Sequence, residues 1–302
     1  MKGLQRTNCF FTMVRALAAA DVRDTAPVLT VLLLLLSPPT AWFLHLPVLL
    51  LGLTAILYRP WLRCTPFWFV IAAIWGTSVY LHWDSADNHR YLIGYWCLAL
   101  CCAFSLREEH QVFALARISR WLIGLCMAWA VMWKVVSPDY LNGAFFHYTL
   151  LLDERFLWLT ELWGGVSQEA LTTNRELREL LRQGYVQGVE LESVQLVTSD
   201  ETRELAQWLT GWTVGIEAGL AFLFLLPDRT KTSVARNWLL LLFAVTTYLV
   251  APVKGFGWVL MLLGMGQCQP QQRFFRIAYL VVFLLIQAYT GPWSRLVPGL
   301  FG

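Results

Sequence analysis

Charge is scarce in this sequence. Only 14% of its 302 residues are charged and 57% belong to the AVILMFWYC set, whereas a soluble domain carries roughly a quarter charged residues. With a mean hydropathy of +0.53, a water-soluble globular domain is excluded. The net charge of +3 is too small to mark a nucleic-acid partner. There is no Gly-x-Ser-x-Gly, no phosphate-binding loop and no dinucleotide fingerprint, which removes the usual hydrolase and nucleotide-binding signatures. None of the seven cysteines falls in the polar stretch Ser137–Gln207, so no disulfide framework is expected there. Cys97 and Cys101 lie one helical turn apart in an apolar run, but no histidine or second pair accompanies them. They read as packing residues, and no metal site is expected. No ordinary signal peptide is expected either, because Asp21, Arg23 and Asp24 interrupt the first apolar run.

What is present is a succession of apolar blocks. A bilayer core of ~30 Å needs about 20 mostly apolar residues per helix. Such runs occur at Pro66–Leu81, His89–Phe104, Ile118–Val136, Trp208–Leu226, Trp238–Val253 and Phe274–Thr290, with a shorter, Gly-punctuated one at Phe256–Gly266. Val28–Tyr58 is too long for one span and is broken by Ser37-Pro38-Pro39-Thr40, so a helical hairpin is expected. The 16 tryptophans suit a chain with many helix ends at headgroup level. The expected fold is all-α: one polytopic membrane bundle over residues 1–302 with about eight to nine spans and a mixed extramembrane insertion at 137–207.

The connections alternate in charge. Arg59 and Arg63, then Arg107, Arg117 and Arg120, then Arg229, Lys231 and Arg236, then Arg273 and Arg276 mark four basic turns. The intervening connections, His82–Asn88 and the turn around Lys254, hold few cations. By the positive-inside rule the basic turns and the N-terminus, with Lys2, Arg6, Arg15 and Arg23, face the cytoplasm. His82–Asn88, 137–207 and the Lys254 turn then face outside: the periplasm for a bacterial inner membrane, or the lumen in a eukaryote. Within the insertion, Thr173-Asn174-Arg175-Glu176 has the form of a capping box opening a short amphipathic helix with Leu177, Leu180 and Leu181. Val189, Leu191, Val194 and Leu196 suggest a strand pair, and Ser199 or Asp200 a cap for the next helix.

Ionisable residues inside spans are functional candidates. Glu217 sits about nine residues into the Trp208 run, near mid-bilayer, in Val214-Gly215-Ile216-Glu217-Ala218-Gly219. Small neighbours there allow a close helix approach. Glu217 is either a neutral or hydrogen-bonded packing residue or a buried acid or base. Lys134 ends the Ile118 run; it either snorkels to the interface or enters an apolar cavity as a base. Asp84, Asp87, Asn88, His89 and Arg90 crowd the outer start of the next helix, with Asp87 in the N-cap position. His89 opens a helix that descends from the outer face and Lys134 ends the one that rises back to it. A common outer cavity is therefore expected, with Asp139 at its rim.

Asn88-His89-Arg90-Tyr91-Leu92 resembles the Asn-His-x-Tyr-Leu element of vitamin K-dependent γ-carboxylases and of their bacterial relatives, the HTTM (horizontally transferred transmembrane) family. Lys134, followed by Ser137-Pro138-Asp139-Tyr140-Leu141-Asn142-Gly143, is similar to their Lys…Asp-Trp-Leu-x-Gly element, and Glu217-Ala218-Gly219 to a later glutamate. The resemblance implies Lys134 as a base toward a reduced quinone, His89 as the group that orients it, and Glu217 as a third catalytic residue. Asn88, Tyr91, Asp139, Tyr140 and Lys254 are the implied substrate contacts. Four residues separate Lys134 from Asp139 where the families usually have three, and Val253-Lys254-Gly255-Phe256-Gly257 stands where the carboxylases carry a histidine. Their large C-terminal domain has no counterpart in these residues, which favours an HTTM-like protein over a full protein carboxylase. Two functions follow as expectations. One is an enzyme with an outward-facing site for a quinol or other lipid-soluble substrate. The other is a non-catalytic membrane module that binds a lipid or quinone or assists export or maturation of a partner protein.

Overall fold

The computed structural model describes residues 19–37, 39, 41–183, 185–186, 189–190, 193–227, 230–250 and 254–290. Among them the chain is all-helical apart from one two-residue strand pair. The helices are α1 (Val22–Leu36), α2 (Trp42–Leu57), α3 (Thr65–Leu81), α4 (Asn88–Phe104), α5 (Glu108–Val136), α6 (Pro138–Leu141), α7 (Ala144–Leu152), α8 (Leu157–Trp163), α9 (Gln168–Gln183), α10 (Asp200–Leu225), α11 (Thr230–Val250), α12 (Lys254–Gln267) and α13 (Arg273–Thr290), with 3-10 turns at Arg59–Arg63 and Glu154–Phe156. The expected hairpin is present as α1 and α2. Within the described residues every apolar run is helical, because a run without polar breaks satisfies its backbone most cheaply within itself. Two helices, α5 and α10, are long and apolar enough to cross a membrane. At 16, 17 and 14 residues, α2, α3 and α12 rise only about 24, 26 and 21 Å.

The chain divides into two compact units: Met1–Cys126, Leu220–Ala244 and Val253–Gly302 in the first, Met127–Gly219 and Val245–Pro252 in the second. The first unit is built around the fully buried Trp68, Trp75 and Trp96. Each indole N–H has an acceptor at 2.8 Å: the Leu62 carbonyl, the Arg90 carbonyl and the Thr30 hydroxyl. A tryptophan can be buried this deeply because its one polar group is satisfied. Gly264 lets the Tyr279 ring approach, for a Cβ there would lie 2.7 Å from it.

Polar ties gather the basic turns. Asp21 caps α1 through the Arg23 amide at 2.9 Å, and Arg23 reaches Glu108 at 3.7 Å. Arg63 donates to Asp24, Arg276 to the Ala20 carbonyl at 2.6 Å, and Gln272 to Ser233 at 2.7 Å. Of the cation-poor connections, His89 lies directly against Gly255. Many other large apolar side chains point outward. Trp42, Leu46, Leu50, Leu53 and Leu57 form an exposed stripe along α2, while its buried positions are Val48, Gly52 and Ala55.

In the second unit Leu150, Phe156, Leu159 and Ala206 form one apolar cluster and Leu151, Leu152, Val166 and Leu171 another. Asn174, fully buried, clamps the following segment: its amide donates to the Val197 carbonyl at 2.8 Å and accepts from the Val197 N–H at 2.7 Å. Asn174 is therefore no part of a capping box. α9 starts at Gln168, with Ser167 accepting from the Ala170 amide, so Thr173–Glu176 is helix interior. The strand pair joins Tyr185–Val186 to Val189–Glu190, earlier than expected, and Val194 and Leu196 are not in it. Ser199 caps α10 through the Thr202 amide at 3.0 Å.

Candidate functional site

Lys134 and Glu217 meet. The ammonium, in the last turn of α5, forms an ion pair with Oε2 of Glu217 on α10, and the two side chains are 18% and 8% exposed. Tyr140 completes the group, its ring centroid 5.4 Å from the Lys134 nitrogen, within cation–π range. α6 is a single turn that begins at Pro138, whose missing N–H costs nothing there. It turns Tyr140 back onto the α5 end, where Phe145 stacks on it at 5.1 Å. Burial, and then the neighbouring Glu217 carboxylate, pushes the Tyr140 phenol well above its ordinary range, against the pull of the Thr213 hydroxyl beside it. The phenol is thus a donor at any physiological pH. One carboxylate, one ammonium and one phenol share the patch: a base, a cation and a proton donor.

Lys134 lies two residues from the end of α5 at Val136, so Glu217 sits level with that helix end. α10 begins at Asp200, and its first half packs on the insertion through Leu205, Ala206 and Leu209. Gly215, expected to admit another helix, faces open space. The carboxylate that holds Lys134 is Glu217; Asp139 is exposed in the first turn of α6.

His89 belongs to the first unit. It is buried, its Nδ1 3.9 Å from the exposed Asp87 carboxylate. Its ring lies so close on Gly255 that a Cβ there would fall 2.1 Å from Cδ2. Asp87 occupies the N-cap position by its backbone angles but makes no side-chain cap bond. Asn88 is exposed, and Tyr91 donates to the Trp83 carbonyl at 3.2 Å. The side chain of Lys254 lies outside the described residues. An open cavity of about 400 Å³ is lined by Tyr148, Asp153, Arg155 and neighbours, not by Lys134, Glu217 or His89. Among the described residues no group of His, Cys, Asp and Glu is arranged to hold a metal.

A polar network in the first unit went unseen in the sequence. Asn237 Oδ1 accepts from Gln267 Nε2 at 2.5 Å and from the Tyr279 hydroxyl at 2.7 Å, while Gln267 Oε1 accepts from Arg236 Nε at 3.1 Å. Arg236 is 1% exposed and lies over the Phe224 ring. It is a buried tie, not the solvated turn cation expected from its position. Arg117 and Arg120 likewise stand within α5 rather than in a turn. An amide at the end of an apolar run looks like the start of a loop, and only the spacing of Asn237 and Gln267 from the run ends hints otherwise. No protein-family model, curated protein or solved structure matches the chain.

Proposed function

We propose that the chain is a multi-pass membrane protein of about eight to nine spans whose outer face carries an acid–base centre, Lys134–Glu217–Tyr140. The centre acts on a quinol or another lipid-soluble hydroxyl compound, as the resemblance to the HTTM and γ-carboxylase families suggests. The observation that carries this reading is the meeting of Lys134 and Glu217 from helices 83 positions apart. A phenolic hydroxyl that reaches the pair gives its proton to the Glu217 carboxylate, and the Lys134 ammonium remains as counter-ion to the phenolate. Membrane placement is supported by the exposed apolar stripe of α2 and by a second on α5, at Trp121, Leu125, Trp129, Met132 and Val136. In water such faces would be costly, and in lipid they are the expected surface. The orientation, cytoplasmic N-terminus and periplasmic 137–207, is supported by the polar ties among the basic turns. Organic extraction of protein purified in mild detergent tests the ligand class. A co-purifying quinone-like compound is expected with the wild type and not with Lys134→Met; none with either rejects the quinol reading.

A second reading, a non-catalytic lipid-binding or export module, is favoured by one observation. Glu217 already compensates the Lys134 charge, as a purely structural pair would. Under it, extraction yields bulk phospholipid alone, in equal amounts from wild type and Lys134→Met.

A further inference from the structure

The cavity of about 400 Å³ in the second unit lies between the end of α7, the Glu154–Phe156 turn and α9, and it holds more positive than negative charge. Asp153 is spent on Arg155, whose Nε lies 3.0 and 3.1 Å from the two carboxylate oxygens. That bond, with the nearby Arg178 charge adding a smaller pull and burial opposing, holds the Asp153 carboxyl below its ordinary range, so it is anionic. Glu154 is spent on Arg175 at 3.1 Å. Arg175 is further fixed by the Leu171 carbonyl and the Thr172 hydroxyl, at 3.3 and 3.1 Å. Arg178 is the third guanidinium on the wall, and its buried Nε has no acceptor among the described residues. Two carboxylates against three guanidiniums leave one positive charge facing the cavity, at a donor that burial without a partner makes costly.

We propose that this cavity is a phosphate site, with Arg178 the group that closes on the ligand. A guanidinium fork matches two oxygens of one phosphate, and the volume is that of a small-molecule pocket rather than of a lone ion. The exposed Tyr148 of α7 lines the site. Such an amphipathic ring favours a phosphate carried on a lipid, as in an anionic headgroup, over one free in solution. The lipid source rests on the membrane reading above; the phosphate chemistry does not, and neither involves Lys134.

The test uses the full chain in detergent, with inorganic phosphate as one probe and phosphatidylglycerol against phosphatidylcholine nanodiscs as the other, each read as a change in thermal stability. Phosphatidylglycerol is expected to stabilise the wild type and phosphatidylcholine not to. Stabilisation by phosphate alone would keep the site and make its ligand free phosphate. Arg178→Gln should weaken the apparent affinity by about tenfold. Arg182→Gln removes the same charge from the exposed face of α9 and should leave the affinity unchanged. If Arg178→Gln does not fold, Arg178→Lys, which keeps the charge and loses the fork, should still weaken it severalfold. Equal affinity in wild type and the Arg178 variant that folds, or no response of the wild type to either probe, overturns the proposal.

Discussion

In the second unit an ammonium meets a carboxylate, Lys134 on Glu217. In the first, Asn237, Gln267 and Tyr279 meet as two amides and a phenol, with the buried Arg236 donating to Gln267 at their edge. Both groups are buried, yet they fail differently. An ion pair stripped of one member leaves a charge that low dielectric makes expensive, whereas removing Asn237 from the other group leaves unmatched dipoles. The difference also marks what each can do. The amide and phenol group can hold helices together but carries no carboxylate to act as a base, and the ion pair offers both a base and a counter-ion.

The comparison breaks first at Lys134. Lys134→Met should cost about 3–5 kcal/mol of stability by stranding Glu217, read from unfolding of the purified protein. Glu217→Gln should cost less, because a lysine near a helix end can turn its ammonium to water. The Lys134→Met/Glu217→Gln pair should recover most of the first loss, and additive losses would show that the two do not interact in solution. Asn237→Ala should cost about 2 kcal/mol, since Gln267 Nε2 and the Tyr279 hydroxyl lose their shortest acceptor and keep the longer bonds to the Gly264 and residue-237 carbonyls. A cost equal to that of Lys134→Met would erase the contrast.

Gly255→Ala drives a methyl into the His89 ring and should cost about 1–3 kcal/mol. The added substitution His89→Ala, which vacates that space, should return part of the loss. The smallest effect is expected at Asn174→Ala, about 1 kcal/mol. It is best seen as faster hydrogen exchange at Val197, whose amide loses its acceptor.

The helices were legible because apolar runs bounded by charge leave the chain no alternative, and α3, α4 and α13 match their runs to within a residue or two. α5 and α10 exceeded theirs, to Glu108 and Asp200, because a helix runs on past its apolar stretch where polar residues still form helix and its end packs on protein or meets water. Lys134 and Glu217 stood out as charges in apolar surroundings, but nothing local could pair them. Their register depends on how far α10 extends into the insertion. Thr173–Glu176 misled because a four-residue box can occur within a helix, and Ser167, the actual cap, has no glutamate three residues on. Asn237 and Gln267 were missed because uncharged amides carry no sequence signal that distinguishes a buried network from a wet turn.

Side-specific thiol labelling on intact cells tests the central claim most directly. The claim is that the segment holding Lys134, Tyr140 and Glu217 lies at the outer face of a membrane-spanning chain. With the native cysteines replaced, Glu169→Cys in α9 should react with an impermeant maleimide before the cells are opened. Lys231→Cys at the start of α11 should react only afterwards. The reverse pattern, or reaction of neither or both before permeabilisation, would contradict the account.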